Sequence, residues 1–466
     1  MSSLRNSPSI LVIKRFRKAF YEDKLLAVKW LFFAGDVRGG MGERRLFRLC
    51  MDFLAKTEPE LAKALLPLIA EYTRWDNLVA LIDTSLSDEV TRLIKEQLNA
   101  DIQSKAQGKT ISLLTKWLPS VNATSERTRA LAKSVTAKLG MTAKQYRQTL
   151  SDLRKYLSVV EVAISANAWG EIKYDSVPSK ANLLYRQAFL RHDEARRNEY
   201  LEALKSGEAK INADVLFPHD VVHKYCSYVN GGYYVGYRDL EPYDETIEQL
   251  WKALPNYVHG DGSTLCVADG SGSMLSNVGG GSRVSALEVA NALAIYFAER
   301  CEGRFKDTFI TFSENPQIVS LKRCKSLHGK LNKALSYNEV ANTNIEAVFD
   351  LILTTAVKNK MPKSKLPSNI LILSDMEFDD CAVCNDYEET GDMVFEKPRL
   401  FEEISARYQA HGYDLPRLIF WNICSRTLTV PLKYNQQGVV LVSGFSPTVL
   451  NMVLSGELDP YKCLID

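Results

Sequence analysis

The stretch that decides the fold is TLCVADGSGS, residues 264–273, in which an apolar run ends in an acidic, glycine-spaced turn. Asp269, Ser271 and Ser273 alternate with small residues, so three oxygen-bearing side chains can converge on one point. Magnesium prefers about six oxygen ligands and usually binds few carboxylates, keeping waters or an external ligand. The stretch therefore predicts a buried strand that ends in a divalent cation site.

Two later segments supply further oxygens for this site. Residues 341–349, ANTNIEAVF, place Thr343 at the start of an apolar helix, where its hydroxyl either caps the helix or faces a metal ion. Residues 369–375, NILILSD, form an unbroken apolar run of β type that ends at Asp375. Because ligands bind beyond the carboxyl ends of parallel strands, we expect Asp375 at the same sheet edge as Asp269.

The pattern of apolar residues changes near residue 259. Before it, segments such as 52–70 and 88–98 show helical spacing with few β-branched runs. After it, β-type runs alternate with helical segments, which is typical of parallel βαβ units. The sequence therefore predicts a multi-domain chain, with an all-α domain over residues 1–258 and an α/β, doubly wound, Rossmann-like domain over residues 259–466.

Length and composition agree with two domains. The chain has 466 residues, of which 46% are hydrophobic, and single cores rarely extend beyond roughly 250–300 residues. The sequence shows neither a membrane-spanning apolar run nor a cleavable leader, and its nine cysteines are odd in number and scattered. We expect a cytoplasmic protein with reduced thiols and no membrane association.

Two other features predict no chemistry of their own. Cys381 and Cys384 have zinc-knuckle spacing but lack a second ligand pair, so we interpret them as part of an acidic loop over residues 377–392. The six histidines show no zinc-protease spacing, and there is no Gly-x-Ser-x-Gly elbow. We therefore expect that the protein is not an enzyme.

The helical half is basic. Residues 1–200 contain 33 Lys and Arg against 22 Asp and Glu, an excess of 11 positive charges, whereas the whole chain has a net charge of +2. Such an excess suits contact with phosphates, although exposed helix faces are often basic as well.

The candidate RNA contacts are the densest arginine group and two cations beside tryptophans: Arg38, Arg44, Arg45, Arg48, Arg74 and Lys116. Two further candidate stripes are Lys144, Arg147, Arg154 and Lys155, and Arg191, Arg196 and Arg197.

The ordered oxygen ligands resemble a known site. Asp269, Ser271, Ser273, Thr343 and Asp375 match, in type and order, the metal-ion-dependent adhesion site of von Willebrand factor A domains. The resemblance implies that the first four contact or approach Mg²⁺, or another divalent cation such as Mn²⁺, and that Asp375 acts through a water. It also implies an open position on the ion for an acidic group of a partner protein.

Nearly the whole chain resembles the Ro/TROVE proteins and, more closely, an uncharacterised TROVE-like family of plants, fungi and phages. The matching segments lie at residues 36–44, 74–76, 116–120, 375–378, 419–423 and 438–446. The resemblance implies HEAT-like helical repeats followed by a von Willebrand factor A domain, and non-catalytic binding of non-coding or misfolded RNA. The alternative is a metal-dependent protein interaction scaffold that binds no nucleic acid.

Overall fold

The structure is a computed structural model that describes residues 7–226, 240–256, 258, 264–278, 283–301, 305–337, 344–375, 397–424 and 439–443. The chain divides into two compact units, one containing residues 7–215 and the other residues 216–463. This division lies before the predicted boundary between residues 258 and 259, because the short helices at 218–222 and 245–252 pack within the second unit. The boundary of the domains themselves stays a prediction.

The first unit is helix-rich, which confirms the prediction for the amino-terminal region. Its helices in the described residues are α1 (Ser9–Glu22), α2 (Lys24–Gly35), α3 (Arg44–Thr57), α4 (Pro59–Tyr72), α5 (Trp75–Val79), α6 (Ser87–Ala106), α7 (Leu114–Trp117), α8 (Glu126–Lys138), α9 (Ala143–Tyr156), α10 (Val160–Ser165), α11 (Ser179–His192) and α12 (Glu194–Ser206).

Helix α3 illustrates why these segments fold as helices. Phe47, Cys50, Met51 and Leu54 recur at intervals of three and four residues and are all fully buried. Burying one such side chain stabilises the fold by roughly 1.5–3 kcal/mol. The amphipathic pattern therefore both forms the helix and attaches it to its neighbours α2, α4 and α1.

The glycine-rich segment before α3 is a tight turn between helices. The backbone N–H of Met41 donates to the carbonyl of Phe33 at 3.0 Å, so the chain folds back directly on the end of α2. A Cβ atom at Gly40 would lie 1.9 Å from that same carbonyl oxygen, and Gly42 has a φ of +64°. Both positions require glycine, which agrees with an interhelical turn.

The described residues of the second unit form a six-stranded mixed sheet. Its described strands are β1 (Thr264–Asp269), β2 (Thr308–Phe312), β3 (Ile318–Ser320), β4 (Asn369–Ser374), β5 (Arg417–Asn422) and β6 (Val439–Ser443). Its described helices are α13 (Pro218–Val222), α14 (Glu245–Lys252), α15 (Ala286–Arg300), α16 (Leu327–Leu335), α17 (Ile345–Lys358) and α18 (Lys397–Ala410). The strand order is β3-β2-β1-β4-β5-β6, and only β3 runs antiparallel to its neighbour. The expected alternation of strands and helices is confirmed.

The core of this unit lies between the sheet and its helices. Side chains of β1, β2, β4 and β5 form one buried cluster with α17 and with Ile404 and Tyr408 of α18. Helix α15, which is buried along most of its length, packs against β1, β2 and β4. Continuous burial explains why the parallel strands carry unbroken apolar runs.

Among the described residues, no helix is both long enough and apolar enough to cross a membrane. The six cysteines in the described ranges form no disulfides.

Candidate functional site

The carboxyl ends of β1 and β4 lie side by side. The two strands are parallel, with Ala268 opposite Leu373. The next residues on the two strands are Asp269 and Ser374, and Asp375 follows at the end of β4. The register of the sheet therefore brings together two acidic residues that are far apart in the sequence.

The Asp269 carboxylate is oriented by hydrogen bonds on both of its oxygens. Its side chain is buried, and Oδ1 accepts the backbone N–H of Ser271 at 2.9 Å. Oδ2 accepts the hydroxyl of Ser374 at 2.6 Å. Because an ionised carboxylate has about four acceptor positions, the neutral donors of Ser271 and Ser374 leave it able to bind a cation as well.

The two serines after β1 present their hydroxyls together. Ser271 Oγ and Ser273 Oγ lie 3.0 Å apart, with Ser273 in a 3₁₀ turn over residues Gly272–Leu275. In an octahedral magnesium site with bonds of about 2.1 Å, neighbouring ligand oxygens are about 3.0 Å apart. The spacing of the two hydroxyls therefore fits adjacent ligands of one ion.

Electrostatics at this sheet edge favour a cation. Burial, with a smaller contribution from the negative charge of Asp375, itself 1% exposed, outweighs the hydrogen bonds from Ser374 and Ser271 and raises the pKa of Asp269 to about 6. Two buried carboxylates disfavour each other's ionisation, and a divalent ion between them would reverse that effect. The donor set of carboxylates and hydroxyls is hard oxygen chemistry that suits Mg²⁺ or Mn²⁺.

Four of the five predicted metal ligands thus lie at one edge of the sheet. Thr343 falls outside the described residues, as do Cys381, Cys384 and the acidic stretch around them. Within the described ranges, no group of three or more His, Cys, Asp and Glu side chains has a metal-binding arrangement. A cation at this edge would therefore depend on the serine hydroxyls.

Sequence reasoning missed two polar residues of this edge, Ser374 and Asn422. Ser374 lies opposite Asn422 on β5, so Asp269, Ser374 and Asn422 form one row across three parallel strands. Residues paired in register point to the same face of a sheet. Asn422 Oδ1 is buried and accepts no hydrogen bond from any residue in the described ranges. The sequence signal was the same in both cases, a polar residue that ends an apolar β-type run.

A second candidate site lies in the helical unit, where three arginines surround Asp76. The distances to Asp76 Oδ2 are 3.7 Å from Arg44 Nη1, 2.7 Å from Arg48 Nη2 and 2.5 Å from Arg74 Nη2. Burial opposes the ionisation of Asp76, but the hydrogen bond and charge of Arg74, together with the other two arginines, outweigh it and lower the pKa of Asp76. The cluster holds Asp76 ionised and remains positive overall.

An aromatic ring extends this cluster. The guanidinium carbon of Arg74 lies 3.7 Å from the ring centroid of Trp117, and Lys116 Nζ lies 5.8 Å from the same centroid. Four of the six predicted RNA contacts, Arg44, Arg48, Arg74 and Lys116, are thus gathered around one carboxylate and one half-buried tryptophan. We call these four cations with Asp76 and Trp117 the Asp76 cluster.

The other two predicted RNA contacts lie elsewhere. Arg45 Nη2 donates to the carbonyl of Ser7 at 2.9 Å and to Ser9 Oγ at 3.2 Å, so it contacts the start of α1. Arg38 is exposed in the glycine-rich turn, where its backbone N–H donates to Asp36 Oδ1 at 2.8 Å. Whether any of the six contacts RNA stays a prediction.

The two further basic stripes contain structural arginines. Arg154 donates to the carbonyls of Thr115 and Leu118, and Arg197 is completely buried, with its guanidinium 4.9 Å from the ring centroid of Tyr174. These two arginines stabilise the helical unit internally, so neither stripe is a continuous exposed surface.

Comparison with known proteins gives three findings. Residues 83–263 match a family described as a domain of unknown function (DUF2828), and residues 263–461 match another, DUF7788. The chain is 27% identical to the uncharacterized protein L728 of Acanthamoeba polyphaga mimivirus, over 99% of this chain and 82% of that protein. It is also similar to the crystal structure of the RO (RSR) protein of Deinococcus radiodurans, with a TM-score of 0.47 and 16% identity over 95% of this chain and 93% of that one.

Proposed function

We propose that the protein is a non-catalytic binding protein with two kinds of ligand. Its sheet unit is a von Willebrand factor A-type domain that takes an acidic group of a partner protein through a divalent cation, Mg²⁺ or Mn²⁺. Its helical unit binds RNA, as the resemblance to Ro implies.

The observation that supports the cation site is the convergence of Asp269, Ser271, Ser273 and Asp375 at the carboxyl ends of β1 and β4. In this proposal Asp269 and the two serines hold the cation directly, and Asp375 acts through a water. When bound, the cation would supply the positive charge that attracts a carboxylate from the partner. Ser374 would orient Asp269 through the hydrogen bond of 2.6 Å.

A manganese titration followed by electron paramagnetic resonance tests this site. The wild-type protein should bind Mn²⁺ in competition with Mg²⁺, and Asp269→Asn should remove that binding without unfolding the protein. Asp414→Asn is the matched control, because the Asp414 side chain is in the same unit and is 89% exposed. Equal Mn²⁺ binding by wild type and Asp269→Asn would refute the site.

The observation that supports RNA binding is the stacking of Arg74 on Trp117 beside two partly exposed arginines. Arginine and aromatic faces both bind unpaired bases, and arginines pair with phosphates. To test this proposal, the protein is purified from cells at low salt, and nuclease-sensitive material that elutes with it is sequenced. Enriched RNA that is released by high salt supports the proposal, because phosphate contacts weaken as salt rises.

The alternative, a scaffold without nucleic acid, makes a different prediction for the same preparation. It predicts a protein free of RNA that captures a partner only when Mg²⁺ is present and releases it when the metal is chelated. The oxygen ligands at the sheet edge support both proposals equally, because both use the same cation site, so the presence of bound RNA is what distinguishes them.

A further inference from the structure

The outer face of α1 carries a dense group of positive charges. Lys14, Arg15, Arg17 and Lys18 are all exposed, and the one acidic residue of the helix is Glu22. With Leu11 and Tyr21 the four cations line a shallow groove of about 520 Å³. We call the four cations and Tyr21 the α1 basic face.

The opposite face of α1 is fixed in the core. Val12, Phe16 and Phe20 are buried, and the Phe16 ring lies 6.1 Å from the ring of Phe53 on α3. At 100° per residue these three side chains occupy one side of the helix and the cations occupy the other. The basic face is therefore held in place by the fold and is not a loose tail.

The charges of this face differ from those of the Asp76 cluster in one respect. Among the described residues, none of the four α1 cations forms an ion pair, whereas three arginines of the Asp76 cluster share one carboxylate. A cation without an intramolecular partner keeps its full attraction for a polyanion. The α1 basic face is thus electrostatically the better phosphate-binding surface.

We propose that the α1 basic face is a binding site for single-stranded RNA, in which the four cations contact successive phosphates and Tyr21 stacks on a base. This inference rests on the proposed RNA-binding function and locates it on a surface outside the six predicted contacts. Tyr21 is 62% exposed, and stacking on an exposed aromatic ring is the usual way of binding unpaired bases.

A membrane surface fits this face less well than RNA. Basic amphipathic helices bind lipid by inserting their apolar side, and that side of α1 is buried against α2 and α3. The exposed face offers charge and one aromatic ring, which is the composition of a strand-binding surface.

The test compares two matched double variants of the full chain. Lys14→Glu/Lys18→Glu reverses two cations of the α1 basic face, and Arg127→Glu/Lys133→Glu reverses two exposed cations on α8 of the same unit, which belong to none of the predicted RNA-contact groups. Binding of fluorescently labelled oligouridine is measured over a range of potassium chloride concentrations. We expect the α1 variant to lose about tenfold or more in affinity and to show a salt slope lower by roughly 1.4, or 0.7 for each lost phosphate contact.

The control variant should change affinity by less than about threefold, since only distant charges are altered. Tyr21→Ala should weaken binding by about fivefold or more while leaving the salt slope unchanged, because stacking is not ionic.

Absence of RNA binding by the wild type would refute the proposed function itself. If the wild type binds oligouridine and the α1 variant binds it equally well, the protein binds RNA but the proposed α1 site is wrong. The same conclusion follows if the control variant loses as much affinity as the α1 variant. Binding to phosphatidylserine vesicles in place of oligouridine, lost in the α1 variant, would also overturn the proposal.

Discussion

Ser374 on β4 donates a hydrogen bond to Asp269 on β1, and the two residues are 105 positions apart in the chain. Both side chains are buried, so the bond forms only when the two parallel strands are in register. The candidate cation site therefore depends on the pairing of the two strands, which supplies one of the two contacts that orient Asp269.

Removing that bond should weaken the cation site more than the fold. Ser374→Ala leaves Asp269 with one fewer donor, and loss of such an orienting contact typically costs about 10–100-fold in metal affinity. Manganese titration of the variant measures the effect. Thr264→Val is the control, because it removes a buried hydroxyl at the opposite end of β1. Unchanged affinity in Ser374→Ala, or an equal loss in the control, would show that Ser374 does not orient a metal ligand.

Adding a charge to the same row should have the reverse effect. Asn422→Asp adds a second carboxylate to the row of Asp269 and Ser374, which should destabilise the metal-free protein and raise its affinity for Mn²⁺. Melting curves with and without Mg²⁺ measure both effects, and Mg²⁺ should raise the melting temperature of the variant more than that of the wild type. An equal shift for both proteins would place Asn422 outside the reach of the cation.

The glycine-rich turn makes a prediction about stability. In Gly40→Ala the new Cβ would lie 1.9 Å from the Phe33 carbonyl oxygen, so the turn must move. Overpacking of this kind usually costs about 1–3 kcal/mol, and a backbone clash belongs at the upper end of that range. Gly170→Ala is the control, since nothing lies within 4 Å of its Cβ position. Urea unfolding should distinguish the two variants, and equal stability would contradict the described turn.

The pH dependence of the helical unit follows from Asp76. The neighbouring arginines lower its folded-state pKa despite its burial. A carboxyl with a depressed pKa stabilises the fold above its unfolded pKa, and this contribution is lost as pH falls through the folded value. The contribution should therefore be constant between about pH 5 and pH 8 and be lost progressively in acid, as pH falls below about 4.

Replacing Asp76 tests the same relationship. Asp76→Asn should remove this acid-dependent part of the stability and lower the free energy of unfolding at neutral pH by roughly 1.5–3 kcal/mol, the usual value for hydrogen bonds to charged groups. Urea unfolding of wild type and variant at neutral and acidic pH gives the comparison. A constant difference between them at all pH values would mean that Asp76 is not the titrating group.

Several features could be predicted from the sequence because they depend on local periodicity. Buried parallel strands require continuous apolar runs, which located β1 and β4. Arg44 and Arg48 are four residues apart and therefore share one face of α3, which in the structure is the face that reaches Asp76. Sheet register is not local, so the row from Asp269 through Ser374 to Asn422 could not be derived before the strands were paired.

Charge patterns were less informative than apolar ones. Counting cations does not show whether each is exposed, paired or buried, and these differences decide what it can bind. Arg197 is buried among aromatic rings and Arg45 contacts the start of α1, whereas the cations of the α1 basic face form no ion pairs in the described part of the chain. Tertiary packing separates these cases, and packing is absent from a one-dimensional charge count.

The cation site is the central claim, and anomalous X-ray scattering at the manganese absorption edge tests it most directly. Crystals of the full chain are soaked in manganese chloride, and an anomalous difference map is calculated. The account predicts a peak at the carboxyl ends of β1 and β4, within bonding distance of Asp269 and of the Ser271 and Ser273 hydroxyls. A map with no peak at that edge, or with manganese bound only elsewhere, would contradict it.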